Sequence, residues 1–355
     1  MIRKNKFFGL LAALLAVLAC NAPATPAQPT ATLVVVTQPP VDTPVSSTAT
    51  AVTITHLQVP SPQIPLGKIV NDVESSGTGP EKRAPYGDSY DINLLERPFL
   101  QDMTYIPDLD IATFQFSQDE TWHYVSIKLI GTDPNHALGI SYAVEIDTDK
   151  DGFGDFIIWA SPSYTSDWTT ENVRVFADTN HNTGGLSAIK SDAPFSSDGY
   201  ETLVFDGANG VGTDPDLAWV RLGNSENATL QFAFKRLLAG DIFMAGVIAD
   251  AGLKDVAQID YVDRFTETEA GSPVKDKKYY PLQALFSVDN TCREAIGFIS
   301  NGYEPRSCVK PGQSQADPTQ PASDGCSITP NSCTGNTPYY WPFPHCACSS
   351  TPYNP

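Results

Sequence analysis

Between about residue 65 and Cys308 the chain sets short apolar or β-branched runs between clusters of Gly, Asp, Asn and Pro. The runs read "IATFQFS", "WHYVSIKLIG", "SYAVEI", "DFIIWA", "NVRVFA", "TLVFDG", "LAWVRLG", "ATLQFAF", "IFMAGVIADA" and "LQALFSV". Strands with one covered face alternate with period two, and Gly, Asn, Asp and Pro supply the turns between them. The pattern therefore predicts a mainly β domain, an antiparallel β-sandwich of jelly-roll type. Helical periodicity is scarce: "KRLLAGD" predicts one turn, and "NLLERPFLQDM" a short helix or an irregular crossing.

Outside that region the alternation stops. Residues 21–63 are Pro, Thr, Ala, Val and Ser with almost no charge. Such a stretch buries too little apolar surface to offset its ordering entropy, and it is expected to form an extended tether. Residues 309–355 are again Pro-rich and expected to be disordered except where cysteines tie them, leaving 64–308 as the folded domain. The aromatic group Tyr339, Tyr340, Trp341 and Phe343 is expected to pack around such a tie.

Residues 1–20, "MIRKNKFFGLLAALLAVLAC", have a basic start and an apolar run from Phe7 to Ala19. That run is shorter than the roughly 20 residues of a spanning helix, and its layout is that of an export signal. The ending "VLAC" resembles the lipobox of bacterial lipoproteins, although Leu18 is less usual at its position. The resemblance implies that Cys20 is lipidated and anchors the chain to the bacterial cell membrane or outer membrane, with the domain extracytoplasmic. The alternative is ordinary secretory cleavage nearby.

Charge narrows the partners. Lys plus Arg number 22 against 41 Asp plus Glu, and three of the cations (Arg3, Lys4, Lys6) lie in the export signal. A surface this acidic disfavours nucleic acid and anionic lipid and leaves neutral glycans and divalent cations. Besides Cys20, the cysteines are Cys292, Cys308, Cys326, Cys333, Cys346 and Cys348. An even set in an exported chain reads as disulfides, with Cys292–Cys308 favoured by proximity and the other pairings open.

The clearest chemistry is "DTDKDGFGD", residues 147–155, between two strand-like runs. Asp147, Asp149 and Asp151 alternate, Gly152 supplies a sharp turn, Phe153 a carbonyl, and Asp155 a group that holds a water. Hard cations take six to eight oxygens, and calcium fits this order best. The loop resembles those of EF-hands, dockerins and, more closely, thrombospondin type 3 repeats. Ile158 stands where an EF-hand carries its closing acid, so the count falls short and a second loop is expected to contribute. Asp178 and Asn180 in "FADTNHNTGG" are the candidates for completing the site or holding a second ion. An acidic turn that serves only solubility is the alternative.

Catalytic signatures are weak. The pairs Asp108/Asp110, Asp214/Asp216 and Asp260/Asp263 arise easily in so acidic a chain, and no G-x-S-x-G, H-E-x-x-H or P-loop pattern occurs. The stretch from "IPDLDIATFQFSQDETWHYVSIKLIG" to "YAVEIDTDKDGFGDFIIW" resembles in texture the front sheet of family-nine carbohydrate-binding modules and DOMON-type sandwiches. That resemblance implies glycan binding but carries no stacking residue across. By chemistry alone, an exposed aromatic ring stacks on a sugar face, which makes Trp168 and Tyr164 in "SPSYTSDWTTE" the candidates, while Trp122, Trp159 and Trp219 read as core. The expected function is thus non-catalytic: a surface lipoprotein that binds an extracellular glycan or polymer or organises the envelope. The alternative is a secreted polysaccharide-active hydrolase or its accessory subunit.

Overall fold

Nine of the ten apolar runs become strands, because each presents alternate residues to a shared interior. A computed structural model describes residues 54–311, omitting 86–89, 92–93, 185–197, 224–226, 260–270, 276–277, 279–280 and 283–286, together with 339–341 and 347–350. All belong to the compact unit Val52–Pro355. The export signal, Cys20, residues 21–53, most of the C-terminal tail, Cys326, Cys333, Cys346 and the Cys348 side chain lie outside the described residues.

The early strands are β1 (Lys68–Asn71), β2 (Tyr90–Asp91), β3 (Leu94–Leu95), β4 (Ile111–Gln118), β5 (Trp122–Leu129), β6 (Ser141–Asp147) and β7 (Phe156–Ala160). There follow β8 (Val173–Ala177), β9 (Thr202–Asp206), β10 (Ala218–Leu222), β11 (Thr229–Lys235), β12 (Phe243–Asp250), β13 (Val288–Asn290) and β14 (Glu294–Ile296). Two further strands, β15 (Tyr339–Trp341) and β16 (Ala347–Ser349), pair with each other, and "KRLLAGD" supplies the expected turn of helix at Arg236–Ala239. "NLLERPFLQDM" is not helical; it holds β3 and bridges from Arg97 and Phe99.

One antiparallel sheet has the order β1-β4-β5-β11-β10, and the other β13-β12-β6-β7-β8-β9 with β14 also on β12. Inward residues of both sheets, among them Phe114, Ile127, Val144, Ile158, Val175, Phe232 and Val247, form one core. The fold is the expected antiparallel β-sandwich. β6 is buried at every position, since its outer side is covered as well. A second cluster of Ala143, Ile157, Trp159, Tyr200, Ile248, Val256, Ile259 and Val288 lies on that outer face.

The outer face of the five-stranded sheet is covered by chain that composition alone assigns to the tether. The Asp216 carboxylate accepts the Leu57 and Gln58 amides, both at 2.8 Å, and pairs with His56 Nδ1 at 2.8 Å. Trp168 Nε1 donates to the Ser61 carbonyl at 3.0 Å, and Arg221 Nη2 to that of Pro62 at 2.8 Å. Ile64 then packs with Trp122, Tyr124 and Trp219. Backbone hydrogen bonds to distant side chains hold this strap, so its own composition carries no sign of the docking.

Candidate metal centre

The site grows from the end of β6. Asp147 closes that strand and its carboxylate turns the chain: Oδ1 accepts the Lys150 amide at 2.6 Å and Oδ2 the Gly152 amide at 3.1 Å. Asp149 Oδ1 accepts the Asp151 amide at 3.1 Å, and Asp151 Oδ1 the Phe153 amide at 2.9 Å. With Lys150 and Gly152 at φ of 66° and 98°, the loop curls on itself. One carboxylate oxygen from each of Asp147, Asp149 and Asp151 then lies within 4.8 Å of the other two. Calcium binds oxygens at about 2.3–2.6 Å, so oxygens on opposite sides of one ion stand about 5 Å apart. The trio has the span of one ion.

Asp155 does not join that trio. Its Oδ2 accepts the Thr148 amide at 2.6 Å and the Thr148 hydroxyl, closing the base of the loop, while Oδ1 stands 3.6 Å from His181 Nδ1. The second loop does lie beside the first: Phe153 bridges Gly184, the Gly154 amide donates to the Thr183 carbonyl at 2.8 Å, and the Asp178 amide to the Asp155 carbonyl at 3.0 Å. Gly184 is required at this crossing, because φ is 104° and a Cβ would fall 2.6 Å from the Gly152 carbonyl oxygen. The expected completion by Asp178 and Asn180 is corrected, however. Ile146 pairs with Phe156 and Phe156 with Ala177, which puts Asp155 between Asp147 and Asp178, two strand spacings or roughly 9–10 Å apart. Asp178 Oδ2 instead accepts the Asn182 and Thr183 amides at 3.0 and 2.8 Å, and Asn180 Nδ2 donates to Asp198 at 3.0 Å.

Beneath the loop lies a charged group that the sequence pattern did not single out. Arg293 Nη1 donates to Asp147 Oδ2 at 2.9 Å and to the Gly152 carbonyl at 3.0 Å, and its Nη2 stands 3.2 Å from Glu145 Oε1. Arg306 Nη1 reaches Glu145 Oε2 at 2.8 Å, and the Tyr200 hydroxyl donates to Glu145 Oε1 at 2.7 Å. All are buried. Arg293 sits at the break between β13 and β14, over Gly246, which is the partner of Glu145 in the β12–β6 register. The disulfide Cys292–Cys308, the pairing that proximity favoured, joins the two arginine-bearing segments, and the Cys308 amide donates to the Arg293 carbonyl at 2.9 Å.

The quartet is balanced, two carboxylates against two guanidiniums, but its two acids feel it differently. Burial pushes Glu145 up, yet Arg293 and Arg306 outweigh it and hold the carboxyl at about 2. For Asp147, which has Arg293 alone and Asp155 nearby, burial wins and the carboxyl is pushed up to about 6. Asp151 is raised too, by burial first and then by the charges of Asp149 and Asp155. Among the described residues neither Asp149 nor Asp151 has a cationic side chain within salt-bridge distance. The loop therefore presents uncompensated negative charge above a neutral floor. A signal for the floor existed: Glu145 is the one charge in "SYAVEI", and Arg293 abuts a cysteine in a chain short of cations.

The other candidate residues lie elsewhere. Tyr164 is only 3% exposed and its hydroxyl donates to the Ile140 and Ala160 carbonyls, so it is a core residue and cannot stack on a sugar. Trp168 is half-buried, with the Arg221 guanidinium 4.4 Å from its ring centre, so the cation takes one stacking face. Trp122, Trp159 and Trp219 are buried. Among the acid pairs, Asp108 accepts the Asp133 amide, Asp110 the Ser75 amide, and Asp214 both the Asp216 amide and Lys235 Nζ. Asp260 and Asp263 lie outside the described residues. No family model matches this chain, and neither a curated protein nor a solved structure matches it.

Proposed function

We propose that this chain is an exported, lipid-anchored, non-catalytic sandwich whose acidic hairpin takes calcium, displayed at the bacterial surface to bind an extracellular glycan or polymer or to organise the envelope. The observation that carries the calcium reading is the ion-sized convergence of oxygens from Asp147, Asp149 and Asp151 above a charge-balanced floor. Those three residues would hold the ion, which supplies positive charge that the loop lacks and ties the β6–β7 turn to itself. The role is structural, since Asp147 connects the loop directly to the buried quartet. Asp149→Ala is expected to leave the chelator-treated protein nearly as stable as the parent and to abolish its thermal response to calcium. A calcium response that persists undiminished in Asp149→Ala overturns the assignment.

The anchor reading rests on Cys20 in "VLAC" after a basic and apolar leader. Cys20→Ser is expected to move the protein from the membrane fraction to the soluble one, and unchanged membrane retention contradicts it. The polymer reading rests on the acidic composition and the carbohydrate-module texture, with no support from Tyr164. Retention on insoluble polysaccharide without product release supports it, whereas released product favours the hydrolase alternative.

A further inference from the structure

Beside the first loop, the turn after β8 has a feature of its own. Three oxygens in six consecutive residues, Asp178 Oδ1, Asn182 Oδ1 and Thr183 Oγ1, are buried and have no hydrogen-bond partner among the described residues. Nowhere else among the described residues do three such oxygens fall so close in sequence. Asp178 and Thr183 are 3% and 1% exposed. Both Asn182 and Thr183 give their amides to Asp178 Oδ2. The Thr183 hydroxyl is three bonds from its amide nitrogen, which confines it to the neighbourhood of that carboxylate. Asn182 Nδ2 is held by Asp198 Oδ1 at 3.0 Å, and a carboxylate only accepts, so the amide oxygen is the end turned inward.

Buried oxygens in a row call for a partner, and water or a cation can provide it. Charge decides between them. Asp178 is a buried acid with no cationic side chain within salt-bridge distance among the described residues, and Asp155, just before β7 and bonded through its carbonyl to the Asp178 amide, is a second acid beside it. A water satisfies hydrogen bonds but leaves that charge uncompensated, and a buried lone carboxylate is costly. We infer that the Asp178–Thr183 turn is a second divalent-cation site, with Asp178, Asn182 and Thr183 as its side-chain oxygens and calcium as the ion its all-oxygen character selects. The site is separate from the first loop and stands without it.

The test is a calorimetric titration of the chelator-treated full chain with calcium chloride, repeated on Thr183→Val and on Asp149→Asn/Asp151→Asn. Two ions per chain are expected, falling to one in each variant and returning to two in Thr183→Ser, which restores the hydroxyl. One ion, lost with the Asp149/Asp151 pair but untouched by Thr183→Val, overturns the second site and leaves the first standing. One ion lost only with Thr183→Val does the reverse. Absence of binding removes both, and two ions insensitive to Thr183→Val remove the assignment to this turn. A water-filled site shows itself as a Thr183→Val protein that binds calcium as the parent does, even where its melting temperature falls.

Discussion

Arg293→Met is expected to lower the unfolding free energy by about 3–5 kcal/mol, the range for removing one partner of a buried ion pair. The substitution keeps an unbranched apolar stem but withdraws the charge that faces Glu145 and Asp147 together. Glu145 retains Arg306 and the Tyr200 hydroxyl, while Asp147 retains only amides from its own loop. The Gly152 carbonyl also loses its donor. Most of the cost therefore comes from leaving the Asp147 carboxylate buried without a cation. Adding Asp147→Asn to Arg293→Met is expected to recover much of the loss, because the carboxylate left without a cation is then neutral while Glu145 keeps its pair with Arg306. Urea unfolding at neutral pH measures both, and a loss below about 1 kcal/mol for Arg293→Met would mean that the quartet is not paired in solution.

The second large effect is a dependence on pH that arises at the start of β4. Asp110 lies just before β4, buried, with Oδ2 taking the Ser75 amide and the Tyr105 hydroxyl. Burial pushes its carboxyl up to about 7, with Glu74 adding repulsion, and raises Asp72, which also feels Asp110, well above the carboxylate range. A raised folded-state value means that the folded chain binds the proton more tightly than the unfolded chain. The contribution of Asp110 is therefore most favourable below about pH 4 and is lost as pH climbs to about 7, a change of up to about 4 kcal/mol. Asp110→Asn removes that slope. The variant is expected to gain a few kcal/mol over the parent at pH 8 and nothing at pH 4, read by denaturant unfolding at both. An equal loss at both pH values would show that Asp110 is ionised and stabilising. Glu145 does not blur the comparison: its depressed value costs stability below about pH 4.5, toward pH 2, and parent and variant share that loss.

How far these features could be read in the sequence follows from the distances over which they act. The strands were legible because alternation is local: "NVRVFA" buries Val173 and Val175 and leaves Arg174 out. The acidic loop was legible for the same reason, its amide-to-carboxylate bonds spanning two to five residues. The floor was not, since Arg293 and Arg306 reach Glu145 and Asp147 across 146 to 161 residues. Trp168 and Tyr164 share one loop and one aromatic character, and only the fold separates a core tyrosine from a tryptophan clamped under Arg221. The expected help from Asp178 failed on strand order: β7 comes between, and each loop turns to its own acid.

Whether a cation completes the hairpin of Asp147–Asp155 is read from thermal melting of the parent protein. Chelator-treated protein should melt several degrees below protein in millimolar calcium, with magnesium restoring much less, since a ligand that binds only the folded state stabilises it by mass action. Identical melting curves with calcium and with chelator would contradict the account.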